Sequence, residues 1–95
     1  MAAYLIADVE VTDVQAYRAY REQVPAVIAA YGGRYLVRGG AVRRLEGDGA
    51  LHRFVVLEFP DMAKLTAFYE SPEYQRLVPL RQKASRADLF AVQGV

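Results

Sequence analysis

Residues 54 to 59, Phe-Val-Val-Leu-Glu-Phe, are apolar at both alternating positions and carry a single carboxylate, Glu58. Successive strand side chains point to opposite faces, so a strand apolar at both parities is normally covered on both. A chain of 95 residues holds enough helix to cover one face of a sheet, and rarely two. The missing cover is most simply a second copy of the same chain. A homodimer built through a sheet face is therefore the first expectation.

Size and composition agree with that. A domain this small buries only about two-thirds of its unfolded-chain surface, so an interface is a ready source of stability. Hydrophobic residues make up 54% of the chain and charged residues 24%, the balance of a folded globular protein. Lys and Arg number 12 against 11 Asp and Glu, leaving a net charge of +1. No bulk field recruits nucleic acid or anionic lipid, and neither partner is expected. The absence of cysteine excludes a disulfide, a thiolate nucleophile and a thiolate metal site. A secretory apolar region and a membrane-length stretch are both lacking, since Asp8 ends the run from Leu5 to Ala7. The expectation is one soluble, cytoplasmic domain over residues 1–95. The wealth of Ala and Arg fits a bacterium with GC-rich DNA.

Residues 4 to 11 alternate between an aliphatic set, Leu5/Ala7/Val9/Val11, and a mixed set, Tyr4/Ile6/Asp8/Glu10, as a strand does. Thr12-Asp13 supplies an N-cap, and Tyr17, Tyr20, Val24, Val27, Ile28 and Tyr31 recur at helical spacing. Pro25 predicts a kink or restart in that helix, and Gly32-Gly33 its end. Arg34 to Arg38 is a second strand. Gly39-Gly40 suggests a bulge, because Val42 to Leu45 has a pattern that continues the pairing. Gly47-Asp48-Gly49 then makes a hairpin turn, and residues 51 to 59 return as the third strand. Pro60-Asp61 caps a short helix with Met62, Leu65, Phe68 and Tyr69 inward. Ser71-Pro72 starts another, with Tyr74, Leu77 and Val78 as its stripe and Pro79 breaking or kinking it. Residues 87 to 93 form the last strand. The order β-α-β-β-α-β with right-handed crossovers predicts an α+β, ferredoxin-like fold. Its antiparallel sheet of four strands runs 4-1-3-2, with helices on one face.

The phrases Tyr31-Gly32-Gly33-Arg34-Tyr35, Arg38-Gly39-Gly40, Leu57-Glu58-Phe59-Pro60 and Ser71-Pro72-Glu73-Tyr74 occur in this order. Together they resemble the bacterial family known as domain of unknown function 1330, over essentially the whole chain. The resemblance implies the dimeric α+β barrel superfamily, in which two ferredoxin-like sheets pack face to face with helices outside. Relatives there include cofactor-free monooxygenases of antibiotic biosynthesis, muconolactone isomerases and haem-binding chlorite dismutases. It implies fold and dimer, and no particular activity.

Several side chains are candidates for chemistry. If Leu5/Ala7/Val9/Val11, Val55/Leu57/Phe59 and Leu89/Ala91 face the helices, Asp8, Glu58 and Asp88 lie on the opposite face, with Arg38 as a counter-charge. Those groups make either a polar cavity for a small acid or an interfacial salt-bridge network. Tyr17, Tyr20, Tyr31, Tyr69 and Tyr74 form either core or the wall of a pocket for a flat ligand. Tyr69 and Tyr74 flank the break at Ser71-Pro72, which makes them the leading pocket candidates, with Arg81 as an anion partner. His52 is the sole histidine, expected at a strand edge in solvent. It cannot build a multi-histidine zinc site, and Asp8 with Glu10 is a weak cation motif, so neither metal nor cofactor is expected. Arg34, Arg38, Arg43, Arg44 and Arg53 read either as an anion patch or as a charged edge that discourages strand pairing. No dinucleotide or phosphate-loop pattern occurs. The ligand-binding candidates are Asp8, Arg38, Glu58, Tyr69, Tyr74 and Arg81. The reading is a homodimeric small-molecule-binding protein. One alternative is a cofactor-independent isomerase or monooxygenase-like enzyme on a small aromatic or acidic metabolite; another is a structural dimer without ligand.

Overall fold

The computed structural model describes all residues from Met1 to Val95. The elements run β1 (Ala3–Val11), α1 (Val14–Ala30), β2 (Arg34–Arg38), β3 (Arg53–Phe59), α2 (Met62–Glu70), α3 (Pro72–Gln75), α4 (Val78–Ala84) and β4 (Ser85–Gln93). The strands form one antiparallel sheet in the order β2-β3-β1-β4, as the sequence predicts. The helices cover one face. At 16 Å the molecule is as thick as one sheet and one helical layer.

Alternation decides which face is covered. Ala3, Leu5, Ala7 and Val9 of β1 are buried, as are Leu57 and Phe59 of β3. Phe59, Phe68, Tyr74 and Leu77 are the largest fully buried side chains and join the sheet to α2, α3 and the turn before α4. The other parity carries half-buried Tyr4, Ile6, Phe54 and Val56, with Phe90 and Val92 well exposed on β4.

Caps set the helix ends. Asp13 accepts from the Ala16 amide at 3.1 Å, and Asp61 from the Lys64 amide at 2.8 Å. Ser71 is a buried joint: its Oγ donates to the Phe68 carbonyl and accepts from the Tyr74 amide, ending α2 and starting α3. The amides of Thr12 and Asp13 donate to the Ala84 carbonyl and tie the start of α1 to the end of α4.

Several local expectations need correction. Pro25 does not interrupt α1, because Tyr17 and Tyr20 before it and Val24 and Ile28 after it form one buried stripe. Packing along that stripe outweighs the lost backbone bond. Pro79 lies in the first turn of α4, where its missing N–H is harmless, and the break falls before it. Tyr69 is 37% exposed rather than inward.

The expected strand from Val42 to Leu45 and the hairpin at Gly47-Asp48-Gly49 do not form; residues 39 to 52 are a loop. Residues 41 to 50 are all exposed, so nothing apolar gains by pairing. The bulge lies earlier than expected: Tyr35 pairs with Leu57, but Val37 pairs with Val56 and Arg38 with Val55. Gly39 serves a different purpose. It has φ +68°, and a Cβ there would stand 2.6 Å from the Arg53 guanidinium carbon.

Gly33 is where α1 returns onto the sheet. A Cβ on it would meet the Phe59 ring at 2.6 Å and Ile28 at 2.9 Å, both in the core. Gly33→Ala is therefore expected to cost about 1–3 kcal/mol by overpacking. Urea unfolding checks this through a lower midpoint with an unchanged slope.

Candidate functional site

Between α1 and the sheet lies a cavity of about 50 Å³. One water needs about 10–15 Å³ on this measure, so the space admits several waters or the head of a small molecule. Leu5, Ala7, Val9, Val55, Leu57 and Leu89 make the floor. Tyr17, Tyr20, Val24 and Ile28 of α1 make the roof. Phe68 and Tyr74 close one wall, and exposed Arg38 with half-buried Arg21 and Tyr35 border the rim.

The polar lining is one-sided in chemistry. Tyr17, Tyr20, Tyr35 and Tyr74 bring hydroxyls, Arg21, Arg38, Arg53 and Arg81 bring guanidinium groups, and no carboxylate or histidine faces the cavity. The Tyr20 and Tyr74 hydroxyls are 2.9 Å apart. One donates to the other, which leaves the second proton free for a further acceptor. Aromatic packing holds both rings: Tyr74 lies 4.5 Å from Phe68 and 6.3 Å from Tyr20, and Tyr20 lies 5.5 Å from Tyr17, between centroids.

Arg81 is 6% exposed, and Nε of Arg81 and of Arg53 are both buried without a hydrogen-bond partner. No carboxylate pairs with either. The base of Arg81 is fixed, since Ser85 Oγ donates to its carbonyl at 2.6 Å. The Arg38 guanidinium instead stacks on the Tyr35 ring at 4.4 Å.

Burial pushes the Tyr17, Tyr20 and Tyr35 hydroxyls above the ordinary tyrosine value. Arg53 and Arg81 pull Tyr17 partly back, which puts both cations within electrostatic reach of its hydroxyl. These three tyrosines keep their protons at neutral pH. They act as donors.

The candidate residues named from the sequence divide among three places. Tyr74, Arg81 and Arg38 line the cavity. Asp8 and Glu58 stand on the other face of the sheet, as alternation predicts. Arg38 does not join them, because the bulge at Leu36 turns it to the helical side. Their partners are others: Glu58 accepts from Arg34 Nε at 2.7 Å, and Asp8 accepts from the His52 amide at 3.2 Å. The His52 ring lies 3.4 Å from Asp8 and 3.9 Å from Glu10. No group of three metal-ligating side chains comes together. Tyr69 borders a separate, open groove of about 350 Å³ between α2 and β4. That groove is roomier, but it holds no buried, unpartnered donor, and the smaller cavity is the better site.

Arg21, Arg53, Tyr17, Tyr20 and Tyr35 are the polar lining residues outside the candidates expected from the sequence. Arg53 was legible by parity: it shares the inward phase of Val55 and Leu57.

Alkaline pH probes the cavity. An unfolded tyrosine ionises near 10.0 and Tyr20 only above that, so over the interval the unfolded chain holds fewer protons. Stability is then complete below about pH 10 and falls as pH rises, by about 1.4 kcal/mol per pH unit for one proton kept only in the fold. Tyr20→Phe is expected to cost about 1 kcal/mol at neutral pH, by leaving Tyr74 without its partner. It should also make the alkaline decline shallower. Urea unfolding between pH 7 and 11 measures both.

A family model described as Domain of unknown function (DUF1330) matches residues 2–95, and the chain belongs to that family. No curated protein matches it. Among solved structures, a protein of unknown function from Rhodopseudomonas palustris is 20% identical with a TM-score of 0.79, over 99% of this chain and 82% of that one. A dimeric ferredoxin-like protein of unknown function from Jannaschia sp. CCS1 is 18% identical with a TM-score of 0.66, over 99% and 100%. SnoaB from Streptomyces nogalater, a cofactor-independent oxygenase, is 11% identical with a TM-score of 0.63, over 99% and 93%. At these identities the likeness is one of ferredoxin-like fold.

Proposed function

We propose that this member of the DUF1330 family binds a small molecule in the cavity between α1 and the sheet, as a homodimer closed through the sheet's open face. One observation carries the reading: hydroxyl and guanidinium donors line a partly enclosed space within an apolar core. Close-packed interiors satisfy or exclude such groups, and convergent polar groups in an apolar pocket mark ligand sites.

Binding suits the lining better than proton abstraction. No carboxylate or histidine faces the space. Glu58 stands on the opposite side of the sheet, engaged by Arg34. A reaction in this cavity like that of a cofactor-independent oxygenase requires a substrate that gives up its proton without a carboxylate or imidazole base.

The dimer reading rests on the open face. Ile6 and Val56 are paired at its centre, Phe90 is 60% exposed beside them, and Leu36 and Val37 are exposed on β2. Both charge signs border it, since Arg34 pairs there with Glu58, so two copies of the surface are electrically compatible. The Jannaschia relative is described as dimeric.

A thermal-shift screen of small aromatic and aliphatic metabolites tests the cavity. A ligand at about 100 times its Kd adds about 2.7 kcal/mol, which raises Tm by about 10–20 °C in a domain of this size. Ala7→Leu fills the floor, and every genuine hit should vanish in it. Hits that survive Ala7→Leu, or silence across the screen, refute the assignment. Val56→Asp is expected to move the protein from dimer to monomer in light scattering; an undisturbed dimer means that this face is not the interface.

A further inference from the structure

We infer that the cavity's ligand is a small carboxylate, gripped by the forked guanidinium of Arg81, with Arg53 and the Tyr20–Tyr74 hydroxyl pair as further donors. This names the ligand class of the site proposed above and rests on that reading.

The argument begins with an imbalance. Arg81 is 6% exposed, its Nε has no partner, and no acidic side chain lines the space around it. A guanidinium taken out of water without a counter-charge is uncompensated for its lost hydration. Arg53 is half-buried and shares part of the defect, with its own Nε buried and unpartnered. Two cations on one cavity also repel each other. A single anion between them removes both penalties.

Hydrogen-bond inventory points the same way. Guanidinium groups only donate, and one proton of the Tyr20–Tyr74 pair is left over once the 2.9 Å bond is made. Burial disfavours the ionised form of Tyr17 and Tyr20, so neither supplies the missing negative charge at neutral pH. The site is complete only with an acceptor from outside.

Shape narrows the class. Arginine's planar fork matches the two oxygens of a carboxylate. Beyond the donors the walls are aliphatic, Ala7, Val9, Val24 and Leu57, and suit an apolar body better than a hydrated phosphate dianion. A volume of about 50 Å³ holds the head of an acid of a few carbons, with a longer body reaching the rim at Tyr35.

The test is calorimetric titration of acetate, propionate and benzoate, each against its neutral amide, in a Tris buffer low in chloride. Wild-type protein should bind at least one acid 10-fold or more tighter than its amide, a preference worth about 1.4 kcal/mol. Arg81→Met should erase that preference and Arg81→Lys keep part of it. Without any acid, Arg81→Met should melt at or above the wild-type temperature, because it removes an unpaired buried charge. A melting point several degrees lower makes Arg81 a structural cation and overturns the inference. So does an acid preference that persists in Arg81→Met, or the failure of every acid to exceed its amide. Acid and amide binding alike, both lost in Ala7→Leu, leaves the cavity as a binding site and removes only the carboxylate. Acid preference untouched by Ala7→Leu removes the cavity and the inference together.

Discussion

One-sided helical cover of a sheet whose central strands are apolar on both sides is the constraint on which the molecule depends. The row Ala3, Leu5, Ala7 and Val9 on β1, beside Leu57 and Phe59 on β3, takes all the burial that the helices can offer. What remains on the other parity, Ile6, Phe54 and Val56, is only half covered. The fold thus has a finished side, where a cavity lies under the helices, and an unfinished side, where apolar residues stay half open. Cavity and open face are separated by the thickness of one sheet.

The strand order and the division of residues between faces were legible in the sequence, because both follow from period-two alternation and chain connectivity. Asp8 and Glu58 fall on the open face for that reason alone. Less legible were features set by competition between local and tertiary terms. Pro25 reads as a helix break, yet Tyr17, Tyr20, Val24 and Ile28 share a stripe whose burial keeps α1 whole. Val42 to Leu45 alternate like a strand, but no partner surface waits for them.

The candidate site was half legible for a related reason. Tyr74 and Arg81 were named, but the residues they meet come from α1 and from the strands β2 and β3. Only the tertiary packing reveals that Arg53 and Arg81 face one space. Composition hides the imbalance as well: the whole chain is within one charge of neutral, while the cavity gathers four arginines and no acid. Neutrality overall and polarity within are independent, and it is the local sum that a ligand meets.

The irregularity in β2 has a further consequence. With one extra residue between Tyr35 and Val37, the strand changes phase partway along, so its two ends obey opposite rules. Tyr35 and Arg38, three positions apart, both serve the enclosed side, which no regular strand allows. Were the bulge flattened so that Leu36 paired in its turn, everything after it would rotate by half a turn. An arginine at the rim would give way to its neighbour and a positive charge would move to the greasy exterior, with no side chain altered. In this protein the register of a five-residue strand therefore carries as much information as its composition.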